Sequence, residues 1–289
     1  MNRVYVGRFV ALTCALGSLA TCMNVSADER DAAIRPTERI ALFDGKSLDG
    51  FYTWLKDTQY EDPKQVFRVN DGMLHVTGDG LGAVVTNDEY RDYHCVIEFK
   101  WGPRTWPNRT DRARDSGLLV HSVGADGAYN GTWMPSLEAQ IIEGGMGDFI
   151  LVTGNDKDGN PVPLSLTCET DRDRDGEVIW KEGGKRETFD LENRARINWW
   201  GRDPDWDDVI GFHGARDLDS PTGQWNRMDV ICDGGHVEIY VNGTKANEGY
   251  DAFPSYGRLQ LQTELAELFV RRWELWPLDG APQPAAPQQ

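Results

Sequence analysis

The feature that most constrains this chain is a period. Apolar residues recur at every second position in many short runs, while the helical period of 3.6 is almost absent. HCVIEFKW sets Cys95, Ile97, Phe99 and Trp101 against Val96, Glu98 and Lys100. VFRVNDGMLHVTG places Asn70-Asp71-Gly72 between two such runs, and those residues accept the positive φ that tight hairpins need. VEIYVNGTKAN repeats the device, with Asn242-Gly243 after Val237, Ile239 and Val241. RLQLQTELA alternates Leu259, Leu261 and Thr263 against Gln260, Gln262 and Glu264. A strand with one apolar face must bury it against a second layer. The chain is therefore predicted to be all-β, a two-sheet antiparallel sandwich.

Residues 1–27 read as an export signal: Arg3 and Arg8, an uncharged run from Phe9 to Ala20, then the small residues Ser26 and Ala27. The run is too short to span a bilayer, and no later segment is apolar enough to do so. LATC, ending at Cys22, resembles a lipoprotein box, but Thr21 is unusual there, so periplasmic or extracellular release is expected ahead of lipidation. Residues 28–38 read as a linker and 39–278 as one domain. Within it, 153–219 is a charged, Gly-rich excursion. That excursion carries four of the eleven tryptophans, Trp180, Trp199, Trp200 and Trp206, too many for a disordered linker. The Pro- and Gln-rich tail 279–289 is expected to be disordered.

The net charge is −17, and removing Arg3 and Arg8 gives −17 − 2 = −19. Such acidity disfavours nucleic acid and anionic membranes as partners and suits a neutral ligand or divalent cations. Beyond the signal stand Cys95, Cys168 and Cys232, with no C-x-x-C spacing for zinc. At most one disulfide can form among them, and buried thiols are the plainer reading.

Five stretches carry candidate chemistry. SLEAQIIEGGMGDF reads E-x-Q-x-x-E, with Glu138 and Gln140 on one face of a strand. Glu143 points the other way unless a bulge at Ile141-Ile142 brings it back; the bulge is expected, because it keeps Ile142 off the polar face. Gln260, Gln262 and Glu264 form a second polar stripe able to hold a polyol. In DSGLLVHSVGADG, His121 shares the face of Leu119 and is a candidate proton carrier beside carboxylates. DRDRDGEVIWKE matches calcium-loop spacing through Asp171, Asp173, Asp175, Gly176 and Glu182, although Pro161, Pro163 and a following GGK leave no flanking helices. Finally, NWWGRDPDWDDVIGFHGARD gathers Trp199, Trp200, Arg202, Trp206, His213 and Arg216. Aromatic rings stack on the C–H faces of sugars, and arginine holds hydroxyls or a carbonyl in planar geometry, so Trp200, Arg202 and Arg216 are candidate substrate contacts.

LFDGKSLDGF, VNDGMLHVTGDGLGAVVT, DSGLLVH, SLEAQIIEGGMGDF and GRLQLQTELAELFVRRWELWPL occur in that order. They resemble the 3-keto-disaccharide hydrolase domain family, from about Ile40 to Leu278. The resemblance implies a jelly roll of the concanavalin A-like lectin/glucanase type. Glycosidases of that fold carry E-x-D-x-x-E on a central strand of the concave face; here Gln140 replaces the middle acid, which weakens a plain-glycosidase reading. The activity implied is cleavage of an oligosaccharide oxidised at C3, a 3-keto-glycoside. A base takes the C2 proton, the group at C1 leaves, and water adds to the enone. Glu138, His121 and Glu264 are then candidates for proton transfer, Gln140 and Gln262 for holding hydroxyls, and Arg202 or Arg216 for the enolate. Calcium or another divalent cation could serve the enolate instead. Two alternatives stay open: a retaining glycosidase with Glu138 as nucleophile and Glu143 as acid/base, about 5–5.5 Å apart, and a carbohydrate-binding module without chemistry.

Overall fold

Two antiparallel sheets account for nearly all regular structure in the computed structural model, which describes residues 27–289. The export signal therefore lies, but for Ala27, outside the described residues. The smaller sheet has seven strands in the order Arg196–Ile197, Phe149–Val152, Ser136–Ile142, Asp115–Ser122, Arg258–Glu264, Leu81–Thr86 and Phe51–Leu55. The larger has eleven and is centred on Asn226–Asp233, Tyr93–Thr105 and Ala266–Trp276. Non-consecutive neighbours throughout make this the expected jelly-roll sandwich. Among the described residues no helix is long and apolar enough to cross a membrane.

The period-2 patterns decide which face goes where. Cys95, Ile97 and Phe99 of the larger sheet meet Leu118, Val120, Leu137, Ala139, Ile141, Leu259 and Leu261 of the smaller in one buried cluster. Each leucine, isoleucine, valine or phenylalanine removed from water contributes about 1.5–3 kcal/mol, so a one-residue slip of any strand is strongly disfavoured. The predicted hairpins form: Asp71 and Gly72 have φ of 51° and 74°, and Asn242 and Gly243 have 49° and 85°. Cys95, Cys168 and Cys232 are buried free thiols.

Three expectations are corrected. The segment read as a linker begins with a short helix, Ala27–Ala32, held by Arg30 on Asp92 at 2.8 Å. The tail, expected to be disordered, lies against the larger sheet: Arg227 donates to the Gln283 carbonyl at 3.2 Å, and Gln289 exchanges hydrogen bonds with the Trp225 backbone. The calcium-loop sequence is a β-hairpin. Asp171 pairs with Ile179 and Arg172 with Val178, leaving a tight turn between them. Asp173 Oδ1 accepts the Asp175 and Glu177 amides at 3.0 and 2.9 Å, and Asp171 is held by Lys181 at 2.5 Å. A ladder runs its side chains to alternate faces, so Asp171, Asp173, Asp175 and Glu182 are not wrapped around one point as a calcium loop requires.

Replacing Asp171→Asn together with Asp173→Asn is expected to lower Tm by about 2 °C or less, through loss of an exposed ion pair and a turn cap. Thermal melts in calcium and in chelator should show the same loss; a loss confined to calcium would restore the calcium-loop reading.

Candidate active site

The far face of the smaller sheet, turned away from the core, carries the polar stripes. Glu138 lies opposite Leu119, Gln140 opposite Gly117 and Ile142 opposite Asp115 across one ladder. Across the next, Gln260 lies opposite Leu119, and the same register carries Gln262 to Gly117 and Glu264 to Asp115. Three adjacent strands thus present two rows, Gln140–Gly117–Gln262 and Ile142–Asp115–Glu264, with Glu138 diagonal to the first.

Gly117 is the floor. A Cβ there would stand 2.3 Å from Glu138 Oε1 and 2.6 Å from Gln262 Oε1, so both side chains occupy the space a methyl would take. Toward one end, Ala83, Val85, Leu119, Trp133, Met134 and Val152 form an apolar cluster on the same face. Gln260 is committed there, donating to Ser122 Oγ at 2.7 Å and accepting the Met134 amide at 3.3 Å. Toward the other end, two arginines close in. Arg109 reaches Asp115 at 3.2 Å and Glu264 at 3.6 Å. Arg196 donates to Asp148 at 2.6 Å, and its charge acts on Asp115 and Glu138.

Burial sets the protonation of this cluster. Glu138 is 5% exposed, and desolvation, reinforced by Asp115, pushes its pKa up to about 8. Burial also raises Asp115, and it raises Glu264 well above the usual carboxylate range, with the two hydrogen-bonded to each other. Such a pair shares a proton. Arg109 lies nearer Asp115, which leaves the proton on Glu264. Four buried atoms here have no hydrogen-bond partner: Gln262 Oε1, Asp115 Oδ1, Arg109 Nε and Arg196 Nη2. Buried polar atoms are almost always paired, so these two acceptors and two donors are open to a polar ligand or to water. The mouth is narrow: the Asp115 and Glu264 side chains are 13% and 16% exposed.

The other expected residues lie elsewhere. No bulge forms at Ile141-Ile142; the ladder continues into the Glu143 amide, which donates to the Arg114 carbonyl at 3.1 Å. Glu143 therefore takes the opposite face from Glu138. There it receives Arg114 at 2.7 Å, Thr222 at 3.1 Å and the Gly211 amide at 2.9 Å. Ile142 stays with the polar row and is still covered, because the turn at Gly145 brings Arg196 and Arg202 over it. His121 does not reach the groove. A bulge in its strand, with φ of 53° at His121, turns the ring edge-on to Tyr93 of the larger sheet. Neither ring nitrogen makes a well-formed hydrogen bond; the nearby Pro254 carbonyl acts to raise its pKa, but burial outweighs it and lowers the pKa to about 4, so it is neutral. Arg202 binds Asp148 and lies 4.4 Å over the Trp206 ring. Trp200 lines a separate cavity with Trp180, Lys181 and Glu182, and Arg216 is exposed without a hydrogen bond or ion pair among the described residues. Asp115, Gly117, Arg109 and Arg196 were not singled out in the sequence. The D-S-G opening of its strand was the available signal, since alternation alone puts Asp115 and Gly117 on the Leu119 face; the arginines come from loops and an edge strand.

The model of one family, described as a 3-keto-alpha-glucoside-1,2-lyase-like domain, matches residues 38–275. No curated protein matches the chain. Among solved structures it is similar to one named as a glycosyl hydrolase from Parabacteroides distasonis, at 18% identity and a TM-score of 0.47, covering 89% of this chain and 99% of that one. It is also similar to a carbohydrate-binding module from Bacillus subtilis, at 10% identity and 0.41, covering 78% and 94%. A GlcNAcα1-4Gal-releasing endo-β-galactosidase from Clostridium perfringens matches at 11% and 0.43, covering 84% and 63%. Identities of this size carry nothing about individual residues.

The raised carboxyl has a cost that depends on pH. Native Glu138 keeps its proton up to about 8, whereas the unfolded group releases it near 4.5. Stability from this group is therefore full below 4.5 and is lost as pH rises toward 8. Glu138→Gln should raise Tm above wild type at pH 8.5, by the equivalent of ~3 kcal/mol, with the gap closing by pH 4.5. Paired melts across that range check it.

Proposed function

Because the chain belongs to the 3-keto-alpha-glucoside-1,2-lyase-like family, we propose that this carbohydrate-active protein cleaves 3-keto-glycosides in the Gly117 groove. The observation that carries the reading is the carboxyl cluster: Glu138 titrates at about 8, beside a carboxyl pair that retains a proton. A carbonyl at C3 acidifies the C2 hydrogen, and a base of raised pKa is the stronger acceptor for it. Ionised Glu138 takes the C2 proton, and the electron pair of that bond forms the C2–C3 enolate. Arg196 Nη2 and Arg109 Nε, buried donors without partners, stabilise the enolate oxygen. The enolate then collapses to C3=O and C1=C2 as the C1–O bond breaks. Glu264, whose proton is held against Asp115, protonates the departing oxygen. Hydration reverses the transfers: Glu264 accepts a proton from the water that adds at C1, and Glu138 returns its proton to C2. Both groups end as they began.

Gln262 Oε1 accepts a sugar hydroxyl. Gln140 has its own oxygen on the Ile141 amide at 2.7 Å and offers only its NH2. His121, placed away from the groove, has no part in this scheme. The positive charge sought from a cation is supplied at the groove by the two arginines. A Glu138–Glu143 retaining pair is disfavoured because the two acids lie on opposite faces of the sheet. A binding module has no use for carboxyls of raised pKa facing two arginines. The signal read in residues 1–27 would place the reaction outside the cytoplasm.

The test is incubation with 3-keto-trehalose and with trehalose, side by side. Product is expected only from the oxidised sugar, with rates rising with pH toward about 8 as Glu138 ionises. Equal cleavage of both sugars would overturn the reading. Glu138→Gln should lower turnover by about 10³-fold while remaining folded. Gly117→Ala should lower it by about 10²-fold, because its Cβ displaces both Glu138 and Gln262.

A further inference from the structure

Within the excursion, on the side of the sheet where Glu143 lies, His213, Asp217 and Asp219 bring one ligand atom each within 4.8 Å of one another. His213 Nδ1 lies 3.4 Å from Asp217 Oδ2 and 4.0 Å from Asp219 Oδ1. The two carboxylates are buried, with side chains 1% and 4% exposed, while His213 is 45% exposed. Asp217 Oδ1 and Asp219 Oδ1 are buried and have no hydrogen-bond partner. Two neighbouring aspartates removed from water, each with an unsatisfied oxygen, are an arrangement that a chain tolerates poorly unless something positive sits between them. The Gly214 amide, 2.5 Å from Asp217 Oδ2, and backbone amides at Asp219 and Gly144 serve the pair, yet Oδ1 of each aspartate stays without a partner. An open cavity of about 370 Å³, lined by Glu143, Gly211, His213, Asp219 and Thr222 among others, gives access from solvent and room for water ligands.

We propose that His213, Asp217 and Asp219 form a divalent transition-metal site, of the zinc or manganese class, that staples the 213–219 loop beside Glu143. The spacing fits: metal–ligand bonds of about 2.0–2.2 Å in tetrahedral geometry hold ligand atoms about 3.4 Å apart. Of the three pairs, one is already there, a second closes by about half an ångström, and the two carboxylate oxygens, within 4.8 Å, close the rest by side-chain rotation. One imidazole with two carboxylates is a borderline donor set that suits zinc or manganese, whereas calcium takes oxygen ligands alone. The other clustered set, His236, Glu238 and Glu248, differs in kind. Lys245 binds both of its glutamates, and His236 donates to or accepts from Glu248 at 2.7 Å, so its charges are already matched. At the Asp217–Asp219 site the competing occupant is a proton, which would leave the protein indifferent to metal; burial does raise both acids, Asp219 to about 7.

The test uses untagged, chelator-treated protein, with isothermal titration of Zn²⁺, Mn²⁺ and Ca²⁺ separately and thermal melts at pH 7.5. One equivalent of Zn²⁺ or Mn²⁺ should bind and raise Tm, with little response to Ca²⁺. His213→Ala, at an exposed position, should melt like wild type in chelator yet lose at least ~10-fold in Zn²⁺ affinity, one ligand's share by analogy with outer-shell losses of that size. His236→Ala should retain the wild-type response. No binding by any ion, or a Zn²⁺ response unchanged in His213→Ala, would overturn the proposal. A response to Ca²⁺ equal to that for Zn²⁺ would overturn the metal class.

Discussion

The architecture around the groove depends on one carboxylate. Asp148 is wholly buried, and it collects Arg196 at 2.6 Å, Arg202, and the Trp199 amide at 2.6 Å. Its own carbonyl accepts the Gln140 amide at 3.0 Å, so it is fixed to the strand that carries Glu138. Three contacts from residues 196–202 thus converge on the hairpin beside the site. Removing one partner of a buried ion pair costs about 3–5 kcal/mol, because the other charge is left without compensation. Asp148 therefore anchors residues 196–202 of a charged, weakly patterned excursion as a wall, and leaves Arg196 Nη2 without a protein partner.

The floor and the wall have different physical origins. The floor is a deletion: a strand in the middle of a sheet gives up a side chain at Gly117, a residue that weakens strands, and two functional groups fold into the gap. The wall is an addition, supplied by loops that could not be ordered without buried charge pairing. Asp208 joins these two parts of the cover, accepting the Ala113 amide at 3.1 Å and Arg112 Nε at 2.6 Å. The clustered carboxyls sit where the two meet, which is why burial raises their pKa values while Asp115 and Glu264 keep 13% and 16% of their side-chain surface exposed.

How legible this was follows from range. Alternation is a local property, and it correctly assigned the inner face of the long strands and the shared face of Glu138, Gln140, Gln262 and Glu264. It failed at His121 because a bulge reverses a strand's faces, and nothing in DSGLLVHSVGADG marks one. It erred the opposite way at Ile142, where a bulge was expected to spare an apolar side chain that Gly145, Arg196 and Arg202 in fact cover. Arg109 and Arg196 are contributed by segments whose place depends on pairing across 40 or more residues, which no local pattern encodes. The D-x-D-x-D-G spacing misled for a related reason: it specifies a loop only if the flanks permit one, and here the flanks pair as strands.

The displaced histidine leaves the molecule with two buried groups of opposite temperament. His121 must lose its proton to stay inside, so acidification below its ordinary value of 6.5 strains the fold until about 4. Glu138 must keep its proton, so acidification from about 8 toward 4.5 relieves the fold. Between roughly pH 4.5 and 6.5 the two slopes oppose each other, each worth up to about 1.4 kcal/mol per pH unit. Within this pair the two contributions compensate across mildly acidic conditions, and on the alkaline side that of Glu138 slopes without a counterweight from His121.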